Sequence, residues 1–451
     1  MIAVKKGSMT IFLALTVLTF FLFCLVLVEG TRIYFFRVQA VQAMELAEFS
    51  VLSEYQQEIF DKYHLFFLDL DYEQGEESVG ILEQRAKNYL TKNTTQLQTK
   101  KLIAEKFCRA TDGDGSVFFE QVTKWMKLKS GYAIFEELFS GLDDVQMEEI
   151  NLEQILKEHK NAAGGMISKE NISDSENIRK IVLPDISFPS IRCLTENVLG
   201  NVDDLSQKSI ELSERISKRM LMEGVGQKSK FSIADMRLFH TYIFENCNFY
   251  GAEQPDIWNE SLSYQVEYII SGKASDRKNL ENILWKVFLL RAGGNYLFYH
   301  QDAEVQAKAQ MDAVVLVGFL GNAALIELVK EIFLISQAIE DGIDQTKQIF
   351  AGSKVPLYQN GIFSGLKIGY QEYLYLFLNS MNSTEKIYRT MDVLELEIRN
   401  QSGYNHFRWD HCVDRLELQW NYQFPSLFTG NSVFHGGNYE NTIVRKLYYE
   451  K

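Results

Sequence analysis

Four residues near the C-terminus bring together side chains that could hold a metal. His406, Asp410, His411 and Cys412 fall within HFRWDHC, and imidazole, carboxylate and thiolate are the ligand types of zinc. Two imidazoles five residues apart do not share a helix face, and no second cluster completes the set, so no metal is assigned. TDGDGSVFFE, residues 111–120, puts Asp112, Asp114 and Ser116 at alternate positions as a calcium loop does. The register then fails: Val117 takes the sixth place, where glycine makes the turn, and Thr123 takes the twelfth, where a bidentate glutamate belongs. A surface turn is the expectation.

SGKAS, residues 271–275, resembles the end of a phosphate-binding loop, but Glu267 replaces the earlier glycine and Ala274 the hydroxyl residue. It reads instead as the loop that caps the following helix. G-x-S-x-G is absent, and acid pairs such as Asp143 with Asp144 and Asp203 with Asp204 are ordinary on solvated loops. No catalytic, cofactor-binding or metal residue is assigned. The chain is read as a non-enzyme without a cofactor.

The element most clearly written in the sequence comes first. Thr10 to Val28 carries no charge, and at about 1.5 Å per residue it approaches the roughly 30 Å of a bilayer core. A signal peptide's apolar region is usually only about 7–15 residues long, so length favours a retained anchor, although Val28 and Gly30 leave a passable cleavage site. Lys5 and Lys6 would keep the short tail in the cytosol. From Thr31 to Phe66 there is neither glycine nor proline, which predicts continued helix; if unbroken from Ser8 to Lys62, it would form a rod roughly 80 Å long. Tyr34, Val38 and Val41, then Phe49, Leu52, Tyr55 and Ile59, recur at helical spacing and are read as its packing stripe. That stripe would meet either the protein's own domain or neighbouring subunits.

Beyond the stalk, Leu82 to Leu90 and Phe118 to Met126 predict short helices, and polar stretches between 72 and 180 predict loops. Leu205 to Met222 predicts a charged helix. Ser275 and Asp276 would cap a helix with Leu280, Ile283, Leu284 and Val287 inside. Ala313 to Ile326 is apolar but too short to span, which favours a buried helical hairpin over a second crossing. Two more helices follow, the second with Ile387, Met391, Leu394 and Ile398 in register. LELQWNYQF alternates apolar with polar as a half-buried strand ending at Pro425, and a turn at Gly436-Gly437 leads into another.

The fold class is thus α+β and predominantly α-helical, with a single N-terminal transmembrane helix running into a long amphipathic helix, a helical exported domain and a small C-terminal antiparallel sheet. The divisions are 1–30 for tail and anchor, 31–70 for the amphipathic helix, 71–230 for an irregular helical region, 231–400 for a helical core and 401–451 for the β-rich end. With 451 residues, 46% hydrophobic content and a formal charge of −14, the chain has ample core and repels phosphate backbones; no nucleic acid is expected as a partner. Cys24, Cys108, Cys193, Cys247 and Cys412 lie far apart without C-x-x-C, which favours scattered thiols over a disulfide framework.

KGSMTIFLALTVL and LVEGTRI, followed by SEYQQEIFDKYHLFFLD, TDGDGSVFFEQVTKWM, YQVEYIISGKASDRKNL, GYQEYLYLFLNSM and YRTMDVLELEI, resemble a family of exported, largely clostridial bacterial proteins called domain of unknown function 5702. That family looks related to the TadE and TadG pilus-assembly proteins, whose single membrane helix ends in an acid near glycine, as Glu29 and Gly30 do here. The resemblance implies a membrane-anchored structural or assembly component of a Tad-type pilus or related secretion system. Its partners would be the lipid bilayer and other subunits of that apparatus. A tethered ligand-binding or sensory module, or a hydrolase, are the alternatives. One departure is Phe12, fifth after a cut at Gly7, where major pilins carry glutamate.

Overall fold

Helix α1 (Lys6–Leu52) runs without interruption for 47 residues, about 70 Å at 1.5 Å per residue. The computed structural model describes residues 6–72, 77–130, 189–211, 213, 215–252, 261–356, 367–401, 403–427 and 438–449. Among these it is an α+β protein, mostly helical, with twelve α-helices and a small antiparallel sheet. The chain forms two compact units: residues 1–125, 220–231 and 398–451 make the first, and 126–219 with 232–397 the second.

In the first unit α1 is followed by α2 (Gln57–Tyr63), β1 (Leu68–Asp69), α3 (Val79–Asn93), β2 (Gln98–Arg109) and α4 (Asp112–Ser130), and the chain later supplies β3 (Cys412–Pro425) and β4 (Asn438–Tyr448). All pairings are antiparallel. β3 is central, with β2 along one edge and β1 and β4 in tandem along the other. Leu416, Leu418, Trp420, Tyr422 and Phe424 are buried, as the alternation predicts. Pro425 closes the strand where the missing N–H ends the ladder. The predicted turn at Gly436-Gly437 lies outside the described residues.

The upper half of α1 is part of this core. Phe36, Ala40, Ala43, Met44, Ala47 and Val51 are 0–2% exposed and join Leu82, Leu102, Trp420 and Phe424 in one apolar cluster. Phe36 packs on Phe424 with ring centroids 4.7 Å apart. Arg445 of β4 ion-pairs with Glu45 and Glu48 at 3.1 and 3.3 Å, and the Tyr449 hydroxyl donates to Leu52 O.

Two expectations about this helix are corrected. The packing stripe is only in part the expected one: Leu52 packs on the core and Ile59, on α2, is fully buried, but Tyr34, Val38, Val41 and Phe49 are exposed, and along α1 an alanine-rich stripe packs instead because small side chains let helix and sheet approach closely. Nor does the helix reach Lys62. It ends at Leu52, where Glu54 is drawn to Arg85 at 3.0 Å and to the Tyr89 hydroxyl at 2.5 Å on α3. Tyr55, Phe60 and Phe66 then cluster with one another, at centroid distances of 4.6–5.3 Å.

The second unit contains α5 (Ile191–Leu199), α6 (Ile233–Asn246), α7 (Gln265–Ser271), α8 (Asp276–Gln301), α9 (Ala303–Val317), α10 (Ala323–Phe350), α11 (Tyr370–Ser380) and α12 (Ser383–Arg399). Leu280, Ile283, Leu284 and Val287 of α8 and Ile387, Met391, Leu394 and Ile398 along α12 are fully buried, as their spacing requires. The apolar stretch at 313–326 forms the expected hairpin, α9 turning into α10, but it is not buried as expected. Only one face is covered, by Ala313, Val317 and Val329, while Val315 and Phe319 are exposed.

Leu205 to Met222 is not a helix. Its described residues are irregular, with a bridge from Ser209 to Ser275 and then a turn in which Lys218 N and Arg219 N donate to Arg215 O. Two of its charges are engaged: Arg215 donates to Gly272 O at 2.6 Å and Arg219 grips both oxygens of Glu395. Fixed partners of that kind outweigh helix propensity.

Candidate functional site

The first place where sequence pattern becomes geometry is the end of the apolar span. Residues 9–23 of α1 are exposed along their length, whereas Glu29 is 8% exposed. Its Oε1 accepts the backbone N–H of Leu427 at 3.1 Å, and Arg32 stands 4.0 Å from Oε2. The acid therefore fastens the segment just beyond β3 to the helix immediately above the uncharged stretch.

The calcium-like loop is a clamp built from backbone donors. Gly113, Asp114 and Gly115 are all left-handed, at φ 60°, 61° and 80°. The Asp112 carboxylate accepts N–H bonds from Arg109, Gly224 and Gly226, each at 2.9 Å. Asp114 pairs with Lys228, and the Ser116 hydroxyl donates to Gly113 O and accepts from Ser229 N. These oxygens are occupied by donors of the same chain, which is why the sequence keeps the acids without the register of a calcium loop. A Cβ on Gly113 would lie 2.5 Å from Gln227 O, so the two segments meet backbone to backbone.

Beside this clamp opens a cleft of about 490 Å³ with Lys106, Cys108, Glu120, Arg415 and Glu417 in its lining. Two of its cations are matched by acids: Lys106 with Glu417 at 2.8 Å, and Arg415 with Asp414 at 2.9 Å and Glu120 at 3.6 Å. Burial pushes the Cys108 thiol up to about 11, so at neutral pH it is protonated and a poor nucleophile.

The 406–412 cluster does not converge. His406 is exposed. Asp410 is fully buried and takes two bonds from Arg408, at 2.8 and 3.1 Å. Burial holds His411 below its ordinary value, which keeps the ring neutral, and the Cys412 thiol donates to Arg408 O. Among the described residues no three His, Cys, Asp or Glu side chains are grouped to hold a metal. Of the acid pairs, Asp203 and Asp204 lie exposed in a single 3₁₀ turn; Asp143 and Asp144 lie outside the described residues. No disulfide joins the five cysteines among the described residues.

In the second unit the SGKAS segment links α7 to α8. Gly272 is left-handed at φ 63°, with the Arg389 guanidinium where a Cβ would stand. Ser275 occupies the N-cap of α8 but makes no cap bond. Asp276 turns its carboxylate instead to the Ser206 hydroxyl and Ser263 N, both at 2.7 Å.

Three further buried acids hold loops in the same way, and nothing in their spacing announced them. Glu397 accepts from Ser261 N, the Ser261 hydroxyl and Gln265, each at 2.8 Å. Asp392 accepts from Ile216 N and the Tyr268 hydroxyl. Glu267, at the position where a phosphate loop has glycine, accepts from the Tyr370 hydroxyl at 2.6 Å and Tyr250 N at 2.8 Å. Only Glu267, in the mostly apolar YQVEYIIS, carried a signal; Asp392 and Glu397 lie among other charges on α12.

Burial raises the carboxyl of Glu267 to about 7 and that of Asp392 to about 6. With the folded value above the unfolded one, stability from Glu267 is whole below about pH 4.5 and declines as pH rises through 7. Glu267→Gln keeps the accepting oxygen and removes the buried charge. We expect it to unfold at higher temperature than the parent at pH 8, by the equivalent of about 3 kcal/mol, and to match it at pH 4; equal melting curves at pH 8 would contradict this account.

Comparison with curated proteins finds no match, and comparison with solved structures finds none. Comparison with protein families matches residues 186–362 and 363–424, more than half of the chain, to the Family of unknown function (DUF5702). The matched stretch includes the irregular segment from 205 to 222, α7 with its buried Glu267, the α9–α10 hairpin and most of the central strand β3. By that match the chain belongs to the DUF5702 family.

Proposed function

We propose that this protein is a membrane-anchored structural or assembly component whose bulk lies outside the cytoplasm, with Lys5 and Lys6 on the cytosolic side. One observation carries the reading. α1, the one helix among the described residues long and apolar enough to cross a membrane, continues without a break into the core of the first unit. Anchor and fold are then a single rigid element, so force on the exported part is transmitted to the membrane through helix and not through a linker.

The clamps formed by Asp112, Asp276, Asp392 and Glu397 support the same reading, because these acids are spent on holding backbone. The specific form of the proposal is a part of a Tad-type pilus or related secretion apparatus, with other subunits of that machine as partners. It rests on the resemblance of LVEGTRI and the stalk to TadE-like anchors.

Deleting residues 9–28 is expected to move the protein from the carbonate-washed membrane pellet to the soluble fraction. An impermeant maleimide should reach exposed Cys193 in intact cells; labelling only after lysis would reverse the topology and overturn the proposal. Co-purification with sheared surface filaments or with a membrane assembly complex tests the specific form, and normal piliation in a deletion strain would count against it.

A further inference from the structure

The α9–α10 hairpin ends in an apex that the described residues leave open. Residues 313–326, fourteen in a row, carry no charge. A run of that length is too short to cross a bilayer and belongs either to a buried core or to a membrane interface. The fold does not bury it. Met311, Val314, Val315 and Phe319 are 70%, 47%, 82% and 71% exposed, while Ala313, Val317 and Val329 form the small buried core between the two helices.

The chemistry of the apex suits lipid better than water or a protein groove. Four of its backbone donors are satisfied from within: Gly321 N donates to Gly318 O at 3.1 Å, Ala324 N and Leu325 N to the Asn322 side chain at 3.0 and 3.2 Å, and Ile326 N to Asn322 O at 3.2 Å. Hydrocarbon offers no acceptor, so a turn that enters it must close its own bonds. The open apolar side chains stand beside a convex turn, which fluid acyl chains can surround without a complementary pocket. Asp312 and Glu327 mark where the uncharged tip stops on each helix. From Asn322 to Glu327 is about 8 Å at 1.5 Å per residue, within the roughly 5–10 Å to which interfacial helices sink their apolar side. No lysine or arginine occurs from 309 to 329, so apolar burial would hold the tip, not attraction to anionic headgroups.

We infer that the apex of the α9–α10 hairpin, around Val315 and Phe319, enters the interface of a phospholipid bilayer and gives the protein a second lipid contact besides α1. The inference rests on the membrane reading above, because α1 holds the chain at a bilayer and so raises the local concentration of lipid around the hairpin.

The full chain in phosphatidylcholine vesicles tests this, with Cys24 and Cys193 replaced by alanine and an NBD fluorophore on Val315→Cys. The remaining thiols, Cys108, Cys247 and Cys412, are buried. The fluorophore is expected to be shielded from iodide and to lose most of its emission to nitroxide carried on the acyl chains. On Ala307→Cys, exposed about two turns earlier on α9, it should stay open to iodide and be spared by the nitroxide. Adding Phe319→Asp to the Val315→Cys protein should return the fluorophore to water. Equal iodide access at 307 and 315 would overturn the inference. So would a fluorophore at 315 that is shielded from iodide yet untouched by nitroxide lipid, the mark of a second copy covering the apex. A chain that fails to stay with carbonate-washed vesicles would instead overturn the membrane reading, and this inference with it. Ala307, Val315 and Phe319 are all exposed, so the substitutions leave the buried cores as they are.

Discussion

Asp112→Ala is expected to destabilise the first unit by about 4 kcal/mol, because buried N–H groups that lose an acceptor cost roughly 1–3 kcal/mol each and water can reach them only in part. The affected donors are those of Arg109, Gly224 and Gly226, and Asp112 itself is 8% exposed. Asp112→Asn should fall between, since one oxygen still accepts while the amide nitrogen confronts an N–H. Gly113→Ala should act in the same direction by a different cause, with φ at 60° and a Cβ 2.5 Å from Gln227 O. Urea unfolding of the detergent-solubilised protein, followed by tryptophan fluorescence, reads all three. Midpoints unchanged from the parent would show that the clamp does not hold the segment from 220 to 231. Calcium should shift none of them, as the oxygens of the loop are already taken.

The second large effect is a pH dependence that disappears on substitution. Lys386 is 1% exposed, with its ammonium 2.7 Å from Nε2 of His240, and burial brings it down to about 8 from 10.5. His240, also buried, is held well below its ordinary value by burial and then by the lysine charge, so it accepts as a neutral ring. Below pH 8 the lysine is charged in both states, and the folded state bears the full cost of burying it. Between 8 and 10.5 the unfolded chain holds a proton that the folded one has released, so stability rises with pH over that window, by about 3 kcal/mol for a shift of this size. Lys386→Met removes that slope. The difference in unfolding free energy between parent and Lys386→Met, measured at half-unit steps from pH 7 to 10.5, should move steadily in the parent's favour; a constant difference would refute the assignment. Comparing the two proteins cancels the titration of the tyrosines, which both share.

Some of this molecule could be read from the chain without its fold. Charge-free length fixes α1 as a helix able to cross a bilayer, since hydrocarbon tolerates few alternatives. Period fixes α8, α12 and β3, because burial of one face repeats every 3.6 or every 2 residues and Leu280, Ile387 and Trp420 keep that rhythm.

What period cannot show is which of two apolar faces finds a neighbour. Tyr34 and Val38 outrank Ala40 and Ala47 in hydrophobicity, yet closeness of approach and the volume left by the sheet put the alanines inside. Length and composition likewise made 205–222 a helix, whereas Arg215, Ile216 and Arg219 are held in an irregular turn by Gly272, Asp392 and Glu395, residues 57 to 176 positions away. The buried acids follow the same logic: Asp112 and Glu267 are named by their bonds to distant backbone donors, and an acid's distance from such a donor is a property of the folded chain alone. Sequence determined what each segment can bury; tertiary structure decided against what, because packing and hydrogen bonding act through space and not along the chain.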